Sequence, residues 1–171
     1  MNRCTVLILA AAIGGGSALA QTGNPLIAEA KQSYTSIKNN LTKAADKVSE
    51  ADYSFKATPD VRPFGALIGH IADVQMRSCA GVKGEQKAAN ASSMTAKADL
   101  VAALKASFDE CDAAFDSLTD ANFTERVAMG RGPGRSKLGT LIGAVIHDNE
   151  EYGYLAVYMR LKGVVPPSSE R

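Results

Sequence analysis

Hydrophobic side chains recur every three or four residues in four long stretches of this 171-residue chain. That spacing is the period of an α-helix with one buried face, and it predicts helices over residues 25–50, 62–80, 95–118 and 137–163. The third stretch is the most regular, with Leu100, Leu104, Phe108, Cys111, Phe115 and Leu118. No strand-like alternation stands out. Four amphipathic helices in a chain of this size predict an all-α fold, a four-helix bundle with one core.

Capping residues mark the ends of the predicted helices. Asp60 is a candidate N-cap for helix two, with Pro63 in the first turn, and Ser136 is a candidate N-cap for helix four. Gly163 is a typical helix stop. Residues 81–93 are polar and predict a linker without core residues. A connection of this length permits a crossover, in which helices two and three run parallel.

The N-terminal residues have the pattern of a secretory signal peptide. Arg3 provides a basic start, residues 5–13 are apolar, and small residues lead up to Ala20. A buried apolar segment is the alternative, but glycines and other small residues crowd the second half of this stretch. We therefore expect residues 1–20 to be removed after Ala20, and residues 21–171 to form a single exported domain, periplasmic or extracellular.

Charge and hydropathy exclude several classes of partner. Loss of Arg3 with the signal peptide leaves eighteen basic side chains against 18 acidic ones, so the expected mature chain has no net charge. A neutral chain offers no bulk attraction to nucleic acid or to an acidic membrane surface. No stretch after the signal peptide is apolar for long enough to predict a membrane span. A small-molecule substrate and a homodimer are the remaining candidate partners.

Two cysteines, Cys79 and Cys111, lie beyond the signal peptide. An even count in an exported protein predicts one disulfide, and two buried thiols are the alternative. Each cysteine lies sixteen or seventeen residues into its predicted helix, roughly 25 Å from the start at the helical rise. The bridge therefore requires helices two and three to be parallel, because antiparallel helices would hold the sulfurs near opposite ends.

The two histidines of the chain, His70 and His147, both fall in the middle of predicted helices. Glu151 follows His147 by four residues, which places the two side chains on one helix face. His70 lies on the inward face of helix two, where its ring nitrogens need partners. A divalent metal ion held by all three side chains would supply them. Periodicity alone leaves two interpretations equally open. One is this metal site, and the other is a core histidine with its hydrogen bonds satisfied beside a solvated glutamate.

Neighbouring residues on helix four add weaker signals. Tyr154 and Tyr158 continue the face of His147 and Glu151, where they could line a pocket, although ordinary bundle packing with the hydroxyls at the rim is the favoured explanation. Asp148 and Glu150 point away from that face, so we expect both to be solvated. Asp148 is also a candidate to support a metal-ligating residue without binding the metal ion itself.

Two segments, "DVRPFGALIGHIADVQMRSCAG" and "LGTLIGAVIHDNEEYGYLAVYMRLKGVVPPSS", resemble the second and fourth helices of the DinB family of DinB/YfiT-like metalloenzymes. The resemblance implies an up-down-down-up bundle with a crossover between helices two and three. It also implies a metal site built from one histidine on helix two and an H-x-x-x-H pair on helix four.

The family's metal ligands map onto His70, His147 and Glu151, with Glu151 at a position where the family pattern has histidine. A carboxylate also binds zinc, nickel, iron or manganese, so the resemblance still implies a divalent ion of one of these kinds. Glutamate in place of histidine gives the site a harder, oxygen ligand and makes it more acidic. It is also compatible with a member that has lost its metal.

Together with the signal-peptide pattern, the resemblance implies an exported metal-binding protein that acts as a metal-dependent hydrolase or transferase on a small molecule. Three protein ligands leave positions on the ion for water or a thiolate. Some relatives act on low-molecular-weight thiols, but an exported protein is separated from the cytosolic thiol pool. The alternative is a non-catalytic helical bundle that serves as a binding or interaction module and has lost the metal.

Overall fold

The computed structural model describes residues 23–128 and 132–170. The expected signal peptide lies outside the described residues. Within them, the chain forms a four-helix bundle, as predicted. The helices are α1 (Pro25–Lys47), α2 (Phe64–Val82), α3 (Lys97–Asp116) and α4 (Lys137–Leu161).

The helix ends differ from the predicted ones by at most three residues, and one predicted cap is wrong. Asp60 does not cap α2, whose N-cap is Pro63 without a side-chain hydrogen bond. The Phe64 N–H instead donates to the Phe55 carbonyl at 3.0 Å, so the helix start is satisfied by backbone. Ser136 caps α4 as predicted, accepting from the Gly139 N–H at 3.0 Å. Gly163 follows α4 with a φ of 72°, which suits glycine.

Contacts at the two ends of α2 and α3 show that these helices are parallel. Near their starts, Gly65 packs against Leu100. Near their ends, a disulfide joins Cys79 to Cys111, with Cα atoms 4.9 Å apart. That separation lies within the usual range of about 4.4–6.8 Å for bridged cysteines. The crossover predicted from the length of the linker is therefore the observed connection.

The outer helices complete the up-down-down-up order. Helix α1 runs antiparallel to α3, because Lys31 pairs with Asp116 at one end while Lys97 donates to the Val48 carbonyl at the other. Helix α4 runs antiparallel to α2, and its Tyr158 hydroxyl donates to a carbonyl just before α2 at 2.8 Å. Helices α2 and α4 therefore face each other across the middle of the bundle.

The crossover between α2 and α3 contributes to the core, so the prediction of a linker without core residues is wrong. Ala91 begins a short 3₁₀ turn, Ala91–Ser93, and is fully buried. Its carbonyl lies against Gly69 of α2, where a Cβ would come within 2.7 Å of the oxygen. Glycine at this position lets the crossover pack directly onto the helix.

A two-stranded antiparallel pair precedes α4, which the sequence did not predict. Arg126–Val127 (β1) pairs with Arg135–Ser136 (β2). Two residues per strand are too few to show an alternating pattern. Within the described residues, no helix combines the length and hydropathy of a bilayer-spanning segment.

Candidate metal centre

Helices α2 and α4 bring all three predicted ligands together. His70 points from α2 toward α4. His147 and Glu151 point toward His70 from successive turns of α4. The two Nε2 atoms of His70 and His147 lie 3.1 Å apart. Glu151 Oε1 lies 3.6 Å from His70 Nε2 and 3.7 Å from His147 Nε2. The three atoms thus form a nearly regular triangle at the interface of the two helices.

The triangle has the size that a small divalent ion needs. Two ligand atoms that each lie about 2.1 Å from a tetrahedral ion are about 3.4 Å apart. The three measured separations bracket that distance. Glu151 Oε2 is buried and has no hydrogen-bond partner among the described residues. A buried carboxylate with a free oxygen is costly unless a cation balances it, so these residues fit a metal ion.

The surroundings shift the pKa values of the two histidines in opposite directions. Burial and the nearby Arg62 guanidinium lower the pKa of His70, despite the attraction of Glu151. The adjacent Asp148 carboxylate raises the pKa of His147, against the effect of burial. His70 is therefore held in the neutral form, which has a lone pair for a metal ion.

Asp148 lies in the interior, so the expectation that it is solvated is wrong. Its exposed fraction is 1 %, and its Oδ2 accepts a 2.8 Å hydrogen bond from Gln75 Nε2 on α2. Burial raises its pKa. The buried seam of α4 runs through Leu141, Val145, Tyr152, Leu155 and Met159, and Asp148 lies on this seam at the same three- and four-residue spacing, with His147 and Glu151 at its edge. Glu150 is exposed, as expected.

A cavity of about 430 Å³ lies beside the three ligands. Its lining residues, which include Glu151 of the metal triangle, are Asp60, Val61, Arg62, Leu67, Glu151, Tyr154 and Tyr158. Tyr158 is buried, with its hydroxyl bonded to the Arg62 carbonyl, whereas Tyr154 is 51 % exposed. Both tyrosines contribute to a pocket wall, and Tyr158 also packs in the bundle. The volume suits a small molecule.

A family model described as the DinB superfamily matches residues 34–154. The chain belongs to the DinB superfamily. A search of curated proteins found no match. The matched residues include all of α2 and α3, the larger part of α1 and α4, and all three residues of the metal triangle.

Solved structures show the same DinB fold. A DinB-like protein from Bacillus cereus ATCC 10987 superposes with a TM-score of 0.71 at 19 % identity, covering 82 % of this chain and 95 % of that one. A DinB-like protein from Bacillus subtilis gives 0.63 at 21 % identity, covering 82 % and 92 %. A mycothiol-dependent maleylpyruvate isomerase gives 0.59 at 16 % identity, covering 72 % and 59 %. At these identities the likeness concerns the fold.

Proposed function

We propose that this DinB-superfamily protein is exported, binds one divalent metal ion through His70, His147 and Glu151, and acts as a hydrolase or transferase on a small molecule. The observation that carries the proposal is the triangle of two imidazole nitrogens and one carboxylate oxygen, 3.1 to 3.7 Å on its edges. Two histidines and one glutamate are a common ligand set of catalytic zinc sites.

The position of the triangle supports chemistry rather than a purely structural role. Glu151 belongs both to the triangle and to the wall of the cavity, so a molecule in the cavity would reach the ion. A divalent ion with three protein ligands would supply Lewis acidity toward a bound water or a substrate atom. The chain itself would orient the substrate between Leu67 and Tyr158 and partly shield it from water.

Metal content of purified variants tests the site. Zinc, nickel, iron and manganese are each offered at equilibrium, and the bound metal per chain is measured by mass spectrometry. Glu151→Gln should weaken binding because it removes the negative charge from the triangle. Glu151→His should retain or strengthen it, since it restores the histidine that the DinB resemblance predicts. Glu150→Gln, which changes an exposed carboxylate one residue away, is the matched control and should bind as the wild type does.

The result that defeats the proposal is specific. Equal, sub-stoichiometric metal in the wild type and in His147→Ala would mean that the triangle binds no metal. A non-catalytic interaction module would then be the better interpretation. Export is tested separately: the N-terminus of the secreted protein should be Gln21, and an intact Met1 on secreted chains would rule out cleavage after Ala20.

A further inference from the structure

We propose that Asp148, held in place by Gln75, is a positioning residue that keeps His147 in the tautomer that can bind a metal ion. The inference rests on the proposed metal site, since it concerns how one ligand of that site is prepared. Neither Asp148 nor Gln75 belongs to the triangle of ligands. They would act on His147 through Nδ1, the ring nitrogen that does not belong to the triangle.

The first observation is a pair of buried atoms that lie close to each other without hydrogen-bond partners. His147 Nδ1 and Asp148 Oδ1 are both buried, and neither has a hydrogen-bond partner within the usual limits among the described residues. The two atoms lie 3.5 Å apart. Buried polar atoms are rarely left unpaired. A small adjustment turns this approach into a hydrogen bond from Nδ1–H to the carboxylate.

The second observation is that the carboxylate cannot easily turn away. Gln75 is fully buried, and its Nε2 donates to Asp148 Oδ2 at 2.8 Å. The other end of the Gln75 amide, Oε1, lies 3.3 Å from the hydroxyl of Ser107 on α3. In this orientation the Gln75 amide donates to Asp148 and presents its oxygen toward Ser107. Three helices thus fix the orientation of one carboxylate.

The consequence for His147 follows from the two nitrogens of a neutral imidazole. One nitrogen carries the proton and the other carries the lone pair. A proton held at Nδ1 by Asp148 leaves the lone pair at Nε2, the atom that points into the triangle. In the metal-free protein, this lone pair can accept a hydrogen bond from His70 Nε2 at 3.1 Å. Binding of a metal ion at both Nε2 atoms would replace this hydrogen bond and would require the His70 proton to move from Nε2 to Nδ1.

A purely structural role makes a different prediction. If Asp148 and Gln75 were only a buried polar pair between α2 and α4, their replacement would change the stability of the bundle and leave its metal affinity unchanged. Hydrogen bonds that orient metal-bound histidines typically contribute about 10- to 100-fold to metal affinity. Metal affinity and the tautomer of His147 therefore separate the two roles, whereas stability alone does not.

The test measures both quantities in the full mature chain. Cobalt(II) is the probe, followed through its visible absorption in competition with a chelator. Asp148→Leu removes every acceptor from this position while keeping a similar volume, and it should weaken cobalt binding about 10- to 100-fold. Nitrogen-15 NMR of the metal-free wild type should show the His147 proton on Nδ1, and the variant should lose that preference.

Two further variants keep the result interpretable. Asp148→Asn retains a polar side chain opposite Gln75 and provides a second test if Asp148→Leu does not fold. It should also weaken cobalt binding, because the carboxylate charge behind His147 is gone. Tyr53→Phe removes the hydrogen bond from a buried hydroxyl to the Ala45 carbonyl of α1, outside the triangle and its cavity, and should retain wild-type cobalt affinity.

The outcomes are distinct. Equal cobalt affinity in the wild type and in folded Asp148 variants would overturn the positioning role and leave the metal site standing. A wild-type proton on Nε2 of His147 would also overturn it. If the wild type binds neither cobalt nor the other offered metals, the proposed metal site is wrong, and the positioning role is wrong with it.

Discussion

Asp73 ties the crossover to α2 through a single carboxylate. Its Oδ1 accepts from the Ala91 N–H at 2.8 Å, and its Oδ2 accepts from the Ser92 N–H at 3.0 Å and from the Ser92 hydroxyl. Burial acts to raise the pKa of Asp73, but these hydrogen bonds outweigh it and hold the pKa below its usual value. The charged form is therefore favoured in the folded protein.

Asp73→Asn should lower the free energy of unfolding by roughly 1–2 kcal/mol at pH 7, because it loses hydrogen bonds to a charged acceptor. A lowered folded-state pKa stabilises the fold fully above the unfolded value, about pH 4, and that contribution is lost as the pH falls through the folded value. The difference in the free energy of unfolding between the wild type and Asp73→Asn should therefore be smaller in acid. Urea unfolding at pH 7 and pH 3 measures it.

Asp120→Asn is the control for Asp73→Asn, since Asp120 is an exposed carboxylate in a turn. Its replacement should change the free energy of unfolding by less than about 0.5 kcal/mol. If Asp73→Asn lowers the free energy of unfolding equally at both pH values, the charge of Asp73 does not contribute to stability.

The ligand residues could be predicted from the sequence, and their support could not. His70, His147 and Glu151 stand out because histidine is rare in this chain and the i, i+4 spacing fixes a shared face. Asp148 continues the buried seam of Leu141, Val145, Tyr152 and Leu155, a spacing that the prediction overlooked, but its pairing with Gln75 joins helices that no local pattern connects. The available signal was Gln75, a polar residue between the apolar positions of the predicted helix two.

Close packing between the crossover and α2 depends on Gly69. A Cβ at this position would lie 2.7 Å from the Ala91 carbonyl oxygen, which is backbone and cannot rotate away. Gly69→Ala should therefore destabilise the protein by about 1–3 kcal/mol through overpacking, although alanine is the better helix former. Thermal or urea unfolding at neutral pH measures the change.

Gly153 provides the matched comparison for Gly69. It also lies inside a helix, but a Cβ there meets nothing within 4 Å. Gly153→Ala should stabilise the protein by roughly 0.5–1 kcal/mol, because alanine loses less conformational entropy in a helix. The two variants should move the midpoint of unfolding in opposite directions, and a shift in the same direction would contradict the packing argument.

The elements themselves were predictable where their pattern was long. All four helices follow from the three- and four-residue spacing, and only their ends differ. The β1–β2 pair and the 3₁₀ turn at Ala91 were missed, since each has too few residues to show a period. Ala91 is buried because Gly69 leaves room for it, and this contact joins residues that no local pattern connects.

The disulfide and the chain order support each other at the scale of the whole molecule. The bridge closes a loop of 32 residues that contains the entire crossover. Replacement of both Cys79 and Cys111 by alanine should lower the free energy of unfolding by about 3–4 kcal/mol in the chain-entropy model. Denaturant unfolding of the mature protein measures this difference.

Thiol titration gives the matching control for the bridge. The denatured, unreduced mature protein should show no reactive thiol and a monomeric mass, and reduction should expose two. Two reactive thiols before reduction would refute the bridge in the isolated protein. The parallel arrangement of α2 and α3 would then rest on the remaining contacts between these helices.

The parallel pairing of α1 and α4 separates the two ends of the described chain. Leu26 lies beside Leu138, at the start of α4, whereas Lys47 donates to the carbonyl of Val165, beyond its end. Helix α1 has 23 residues, so the two ends lie about 35 Å apart. The cavity lies toward the second end, near Arg62 and Tyr158. Immobilisation through residues before Pro25 would therefore leave its mouth facing solution, whereas a C-terminal fusion or histidine tag would lie beside it and compete for its metal.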